Sequence, residues 1–154
     1  MASMASRRRK APAPPRLDEQ LCFALHAASR MVEHAYAPLL RELGVTYSQL
    51  LVLMVLWETD DVSVSDIGRR LLLDSGTLTP LLKRLERAEI LSRTRDPADE
   101  RRVRIRLTER GRALGDEAAV GHHRLVCELD GAVDVDLSAL RDTLRALIAV
   151  EPPG

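Results

Sequence analysis

Cys22 stands four residues before His26 in the run LCFALHAASR, residues 21–30. A thiol and an imidazole one helical turn apart can meet on the same face. Near a helix start, unpaired N–H groups favour a thiolate, although Asp18 and Glu19 oppose that effect here. The hydroxyls of Tyr36 and Tyr47 could donate to the sulfur if the fold brings them close. The chemistry open to such a thiolate is attack on a peroxide oxygen, which gives a sulfenic acid. A sulfenic acid can condense with a second thiol, and Cys127 is the one other cysteine in the chain. Two thiols so far apart in sequence could meet between subunits of an interlocked dimer. Against this stands a simpler reading, in which Cys22 is packing in an apolar helix and Cys127 is a semi-buried helix residue.

A second cluster has residue types that suit nucleic acid. Residues 93–112, RTRDPADERRVRIRLTERGR, hold eight arginines and four acids, a local charge of +4 in a chain whose net charge is +0. Arg101 at a turn can enter a minor groove, with Asp99 orienting it through a bidentate pair. Arg93, Arg95, Arg102 and Arg104 suit phosphate contacts, which position without specifying. Just upstream, Ser75, Gly76, Thr77 and Thr79 are short residues at a helix start, able to approach base edges or phosphate. Lys83, Arg84 and Arg87 extend that basic face. A solvated strand face and simple N-capping by Ser75 or Thr77 are the alternatives.

The elements that must position these groups follow from periodicity. Residues 17–43 read as one long helix, with Asp18 as cap, Gly44 as stop and Pro38 as a kink in its last turns. A central, nearly all-apolar helix spans 47–58 with Thr46 as cap. TDDVS is a turn or very short strand. Helices over 64–72, capped by Ser63, and from 76 or 77 to 88 follow; a start at Thr77 would leave Pro80 near the first turn. The period then changes to two in ILSRTR and RVRIRLT, a charged hairpin joined by DPADER. Helices over 108–129 and 137–150 close the chain, the first weakened by Gly111, Gly115 and Gly121.

This order predicts a mainly α fold with a small β-hairpin wing: a winged helix-turn-helix at about 46–108, flanked by long dimerisation helices at 17–43 and 108–150. The expected single domain covers 16–150, after a basic, Pro-rich disordered arm at 1–15 and before a tail at 151–154. With 3% aromatic residues, the core must be built from Leu, Val, Ile and Ala. No window reaches the length of a membrane span, and the basic start lacks the apolar stretch of a secretory signal, so a cytoplasmic protein is expected. His34, His122 and His123 read as surface or interface residues rather than metal ligands. No metal site, cofactor or catalytic residue is expected.

DPADERRVRIRLTERGR, with LLLDSGTLTPLLKRLERAEIL before it, resembles the MarR family of winged helix-turn-helix repressors. LCFALHAASR with Tyr36 and Tyr47 is similar to the family's organic hydroperoxide sensors, and the resemblance covers about residues 15–150. It implies a homodimeric repressor that binds an inverted-repeat site in double-stranded DNA and responds to organic hydroperoxides. It implies that Cys22 is the sensor, that Tyr36 and Tyr47 hydrogen-bond its thiolate, and that Cys127 forms a disulfide with Cys22 of the other subunit. The wing arginine and its supporting acid fall on Arg101 and Asp99. His26 departs from the family's usual tyrosine. Glu89 replaces a frequent glycine, so the turn into the wing is expected to lack a left-handed residue. Two further functions fit the residues: a repressor released by a small aromatic ligand without cysteine chemistry, and a thiol peroxidase.

Overall fold

The computed structural model describes residues 14–150. The expected tail at 151–154 and nearly all of the basic arm lie outside the described residues. Contacts divide the chain into an N-terminal unit ending at His34 and a larger unit beginning at Ala35.

In the N-terminal unit a short 3-10 turn, Leu17–Glu19, precedes α1, Leu21–Ala35. Asp18 lies inside that turn, so it is not the cap expected of it. The single helix expected over 17–43 is interrupted. Tyr36 separates α1 from α2, Ala37–Leu43, and Pro38 occupies the first turn of α2, where a missing N–H costs little. Gly44 ends α2 in the left-handed conformation at φ 67.

The larger unit is built on α3, Tyr47–Glu58. Thr46 and Gln49 form a reciprocal capping box at its start. Leu50, Val52, Leu53, Val55 and Leu56 are buried, so α3 is the central helix its composition predicts. The two-residue strand β1, Val62–Ser63, leads into α4, Val64–Leu71, through a second capping box of Ser63 with Asp66. Helix α5, Ser75–Arg87, packs Leu78, Leu82 and Leu85 into the same core.

Helix α5 begins earlier than the sequence suggests. Asp74 is the cap and accepts the N–H of Thr77 at 2.9 Å, so neither Ser75 nor Thr77 serves as one. A Cβ at Gly76 would lie 2.9 Å from the Asp74 carboxylate, which keeps that position small. Pro80 consequently sits inside the helix, in its second turn. It has no N–H to donate to the carbonyl of Gly76 one turn back.

Strands β2, Leu91–Asp96, and β3, Asp99–Leu107, form the wing hairpin, with β1 on the other side of β3. Asp96 pairs with Asp99, so the connector is two residues long and shorter than DPADER. Arg101 therefore lies on β3, two residues beyond its start, not at the turn. Glu89 itself adopts the left-handed conformation at φ 57, a geometry disfavoured for a residue with a Cβ. The turn into the wing thus has its left-handed residue, contrary to expectation, and glutamate rather than glycine supplies it.

Helix α6, Glu109–Ala132, is capped by Thr108, and α7, Leu137–Ile148, by Asp136. The α6 glycines that lower its propensity are sites of close approach. A Cβ at Gly111 would lie 2.1 Å from the Ile90 carbonyl oxygen, and one at Gly121 2.4 Å from Leu39. These contacts bring α6 against the wing base and α2. Helices α1 and α7 bury no residue within one chain. Leu21, Phe23 and Met31 on α1, and Leu140, Leu147 and Ile148 on α7, remain exposed. Apolar stripes of this kind need a partner surface.

Candidate nucleic-acid interface and thiol sites

The wing is anchored from an acidic corner before β1. Asp61, itself left-handed at φ 58, accepts from Arg104 Nε at 2.7 Å and from Arg106 at 2.7 Å. Arg104 also donates to the Asp61 backbone carbonyl and stands 3.7 Å from Asp96. Hydrogen bonds from Arg106 and Arg104 hold the Asp61 carboxyl far below the usual carboxylate range. Asp60 accepts the Leu107 N–H at 2.9 Å and pairs with Arg112 at 3.1 Å. Arg104, expected at phosphate, is thus held within the protein. The acids of TDDVS carry no local sign of this anchor, because their partners lie more than forty residues away.

Beyond the anchored base, the wing points cations outward. The Arg101 side chain is 95% exposed, with Nε 3.5 Å from Asp99. Asp99 also accepts the Arg101 backbone N–H at 3.1 Å, so it holds Arg101 through the main chain rather than through a bidentate fork. Arg95 and Arg102 are exposed and have no ion pair among the described residues. Arg93 is mostly covered and stands 3.6 Å from Glu86.

A groove of about 680 Å³ runs between the wing and the helix-turn-helix. It joins Ser75 and Thr79 of α5 to Arg93, Arg101 and Arg102 of the wing. Five residues singled out from sequence therefore share one surface. Arg69 of α4, paired with Asp66, lines the same groove, and the sequence does not single it out. Thr77 is held by Asp74, to which its hydroxyl donates at 2.8 Å. Lys83, Arg84 and Arg87 lie along α5, away from the buried leucines. The groove thus has the hydroxyl-bearing Ser75 and Thr79 on its helical side and the guanidinium-bearing Arg101 and Arg102 on its wing side. That arrangement suits a polyanion with readable edges.

Cys22 is the second residue of α1, in the turn whose N–H groups have no helical partner. Its thiol is free and exposed, and His26 is exposed one turn later. The apolar-packing reading of Cys22 therefore has no support within one chain. Cys127, on α6, is also free and exposed, with its sulfur 3.9 Å from Nε2 of His123.

In the larger unit, Tyr36 and Tyr47 meet edge to face with ring centroids 5.3 Å apart. The Tyr36 hydroxyl lies 2.9 Å from Nδ1 of His122. Burial, followed by the neighbouring Tyr47, raises the Tyr36 pKa, so the phenol stays neutral and keeps its proton to donate. His122 reads from sequence as a surface or interface residue; the structure gives it this part-buried partner instead. No local spacing signals the pair, since Tyr36 lies 86 residues away along the chain. A cavity of about 670 Å³ beside it is lined by Trp57, Leu107, Arg112 and His122 among others. No group of three or more His, Cys, Asp or Glu side chains able to hold a metal occurs among the described residues. No single described helix is long and apolar enough to cross a membrane.

A family model described as transcriptional regulator SarA/Rot matches residues 34–118. The organic hydroperoxide resistance transcriptional regulator of Bacillus subtilis strain 168 is 44% identical over 133 residues, which are 86% of this chain and 90% of that protein. The HTH-type transcriptional regulator TtmR of Methylorubrum extorquens strain PA1 is 56% identical over 101 residues, 66% of this chain but only about half (52%) of the relative. AbfR of Staphylococcus epidermidis has been solved in several states. Reduced AbfR bound to DNA superposes with a TM-score of 0.69 at 38% identity, covering 86% of this chain and 94% of that one. Disulfide-formed AbfR gives 0.62 at 37% identity, covering 86% and 93%.

Proposed function

This chain belongs to the MarR/SarA family of winged helix-turn-helix transcriptional regulators, on the branch of the organic hydroperoxide regulators and AbfR, and from that premise we propose how it works. It is a DNA-binding regulator rather than an enzyme, which sets aside the thiol peroxidase reading. In the proposed function it is a cytoplasmic homodimeric repressor whose reduced form binds an inverted-repeat operator. Residues 46–108 form the reading unit, and 17–43 with 108–150 form the dimer. Ser75, Thr79, Arg101 and Arg102 face DNA across the groove, with Arg95, Lys83, Arg84 and Arg87 at flanking phosphates.

The Cys22 thiolate attacks an organic hydroperoxide. An S–O bond forms, the O–O bond breaks, and the alkoxide leaves as the alcohol after taking a proton. Cys127 of the partner subunit then condenses with the sulfenic acid, giving a disulfide and water. The new bond pulls on the dimer helices and changes the spacing of the two reading heads, so both half-sites are no longer met together. The observation that carries this reading is the pair of free, exposed thiols at Cys22 and Cys127. A relative solved both on DNA when reduced and in a disulfide form supports it. Tyr36 and Tyr47, paired through their rings, supply the phenolic donors for the thiolate.

Fluorescence anisotropy on the operator tests this. Reduced protein should bind, release after one equivalent of cumene hydroperoxide, and rebind after dithiothreitol. Binding unchanged by the oxidant overturns the reading. The cavity beside Trp57 and Arg112 favours a second reading, in which a small aromatic ligand releases the DNA. Ligand-induced release that survives substitution of both cysteines would select it.

A further inference from the structure

The two adjacent histidines of α6 have different partners. His122 is turned to Tyr36, whereas His123 Nε2 lies 3.9 Å from Cys127 Sγ, one helical turn away. We propose that His123 is the general base for Cys127 and the proton carrier of the disulfide-forming step. The role rests on the disulfide reading above.

The chemistry requires such a group twice. A thiol attacks as its thiolate, and a free cysteine is only a few per cent thiolate at pH 7. The hydroxide displaced from a sulfenic acid must also gain a proton to leave as water. Nε2 is a ring nitrogen that accepts when the proton sits on Nδ1. His123 Nε2 takes the Cys127 proton as Sγ attacks the sulfenic sulfur of Cys22. The S–S bond forms and the S–O bond breaks. The imidazolium returns the proton to the departing hydroxide, and water leaves. Cys127 sulfur is oxidised, the sulfenic sulfur is reduced, and His123 ends as it began.

Cys22 and His26 share the four-residue spacing, but among the described residues the sulfur–imidazole hydrogen bond is made at Cys127. The spacing of four residues keeps ring and sulfur on one face of α6 whatever the subunits do. The pair lies on an exposed stretch of the helix, so the contact is not committed to the core of its own chain. The His123 side chain makes no other hydrogen bond among the described residues.

The test uses the full-length protein and His123→Gln, which keeps a polar side chain without a titratable base. In a Cys22→Ser background Cys127 is the remaining thiol, and its alkylation by iodoacetamide at pH 7 should slow several-fold when His123 is also replaced. With both cysteines present, sulfenate formation after one equivalent of cumene hydroperoxide, read by dimedone trapping, should keep its rate. Disulfide formation, read by non-reducing mass spectrometry, should slow about tenfold. Operator binding by the reduced variant should match wild type, and added imidazole should restore part of the lost rate in His123→Ala. Equal alkylation rates with and without His123 overturn the assignment. A wild-type protein that never forms the Cys22–Cys127 link instead defeats the disulfide reading and with it the proton-carrier role, while the alkylation comparison still decides whether His123 is the base for Cys127.

Discussion

The Tyr36 hydroxyl and His122 Nδ1, 2.9 Å apart, tie the start of α2 to the middle of α6. Tyr36 as a residue is buried and its bond to His122 is part-buried, so water replaces His122 only in part. Replacing His122 with Leu should lower stability by about 0.5–1.5 kcal/mol, the net worth of a hydrogen bond lost at a part-buried hydroxyl. Adding Tyr36→Phe should recover most of that loss. Urea denaturation of the two single variants and the double variant measures the coupling directly.

The same phenol sets an alkaline signature. Its pKa is raised in the folded protein, so its stabilising contribution is complete below the unfolded value of about 10. It is lost as pH climbs from there through the higher folded value. Tm measured from pH 9 to 11 should therefore fall less steeply in Tyr36→Phe than in wild type.

At the acid end the sign reverses at Asp61. Arg106 and Arg104 depress its folded pKa, so its contribution is present above the unfolded carboxylate range and fades as pH drops through the folded value. Asp61→Asn should have a lower Tm at pH 7 and a shallower decline below about pH 4, the unfolded carboxylate value. A thermal melt series in dilute salt checks both effects.

Two neighbouring wing arginines should behave differently because their partners differ. Arg102 is exposed, while Arg104 is held by Asp61 and Asp96. Arg102→Ala should weaken binding to all duplexes alike and reduce the slope of log K against log salt by about 1. Arg104→Ala should chiefly lower Tm. Parallel binding titrations at several salt concentrations, with melts, separate the two roles.

Local pattern makes much of this fold legible. The apolar run of α3, the period-two wing and the caps Thr46, Ser63, Thr108 and Asp136 all signal themselves within a few residues. The interruption at Tyr36 is legible only as a blemish at Pro38, because a proline in the first turn of a new helix resembles one that kinks an old helix. The Asp74 cap is hidden by the serine and threonine that follow it. Asp61, Arg69 and His122 escape for a different reason. Their roles come from partners or surfaces supplied by distant elements, which neither periodicity nor spacing encodes. The two cysteines and the outward wing arginines are visible because their chemistry is carried by residue type.

Glu89 offers a test of local strain. Its φ of 57 is one that glycine adopts freely. Glu89→Gly should stabilise the protein by about 0.5–1 kcal/mol, net of the entropy glycine adds to the unfolded chain. An unchanged or lower denaturation midpoint would mean that the Glu89 side chain contributes more than its backbone costs.

The central claim is that oxidation at one sulfur controls the grip on DNA, and operator affinity of Cys22→Ser beside wild type tests it most directly. Both proteins should bind equally well when reduced. After one equivalent of cumene hydroperoxide, wild type should release the operator and Cys22→Ser should remain bound. Release of the serine variant at the same oxidant dose as wild type would contradict the account.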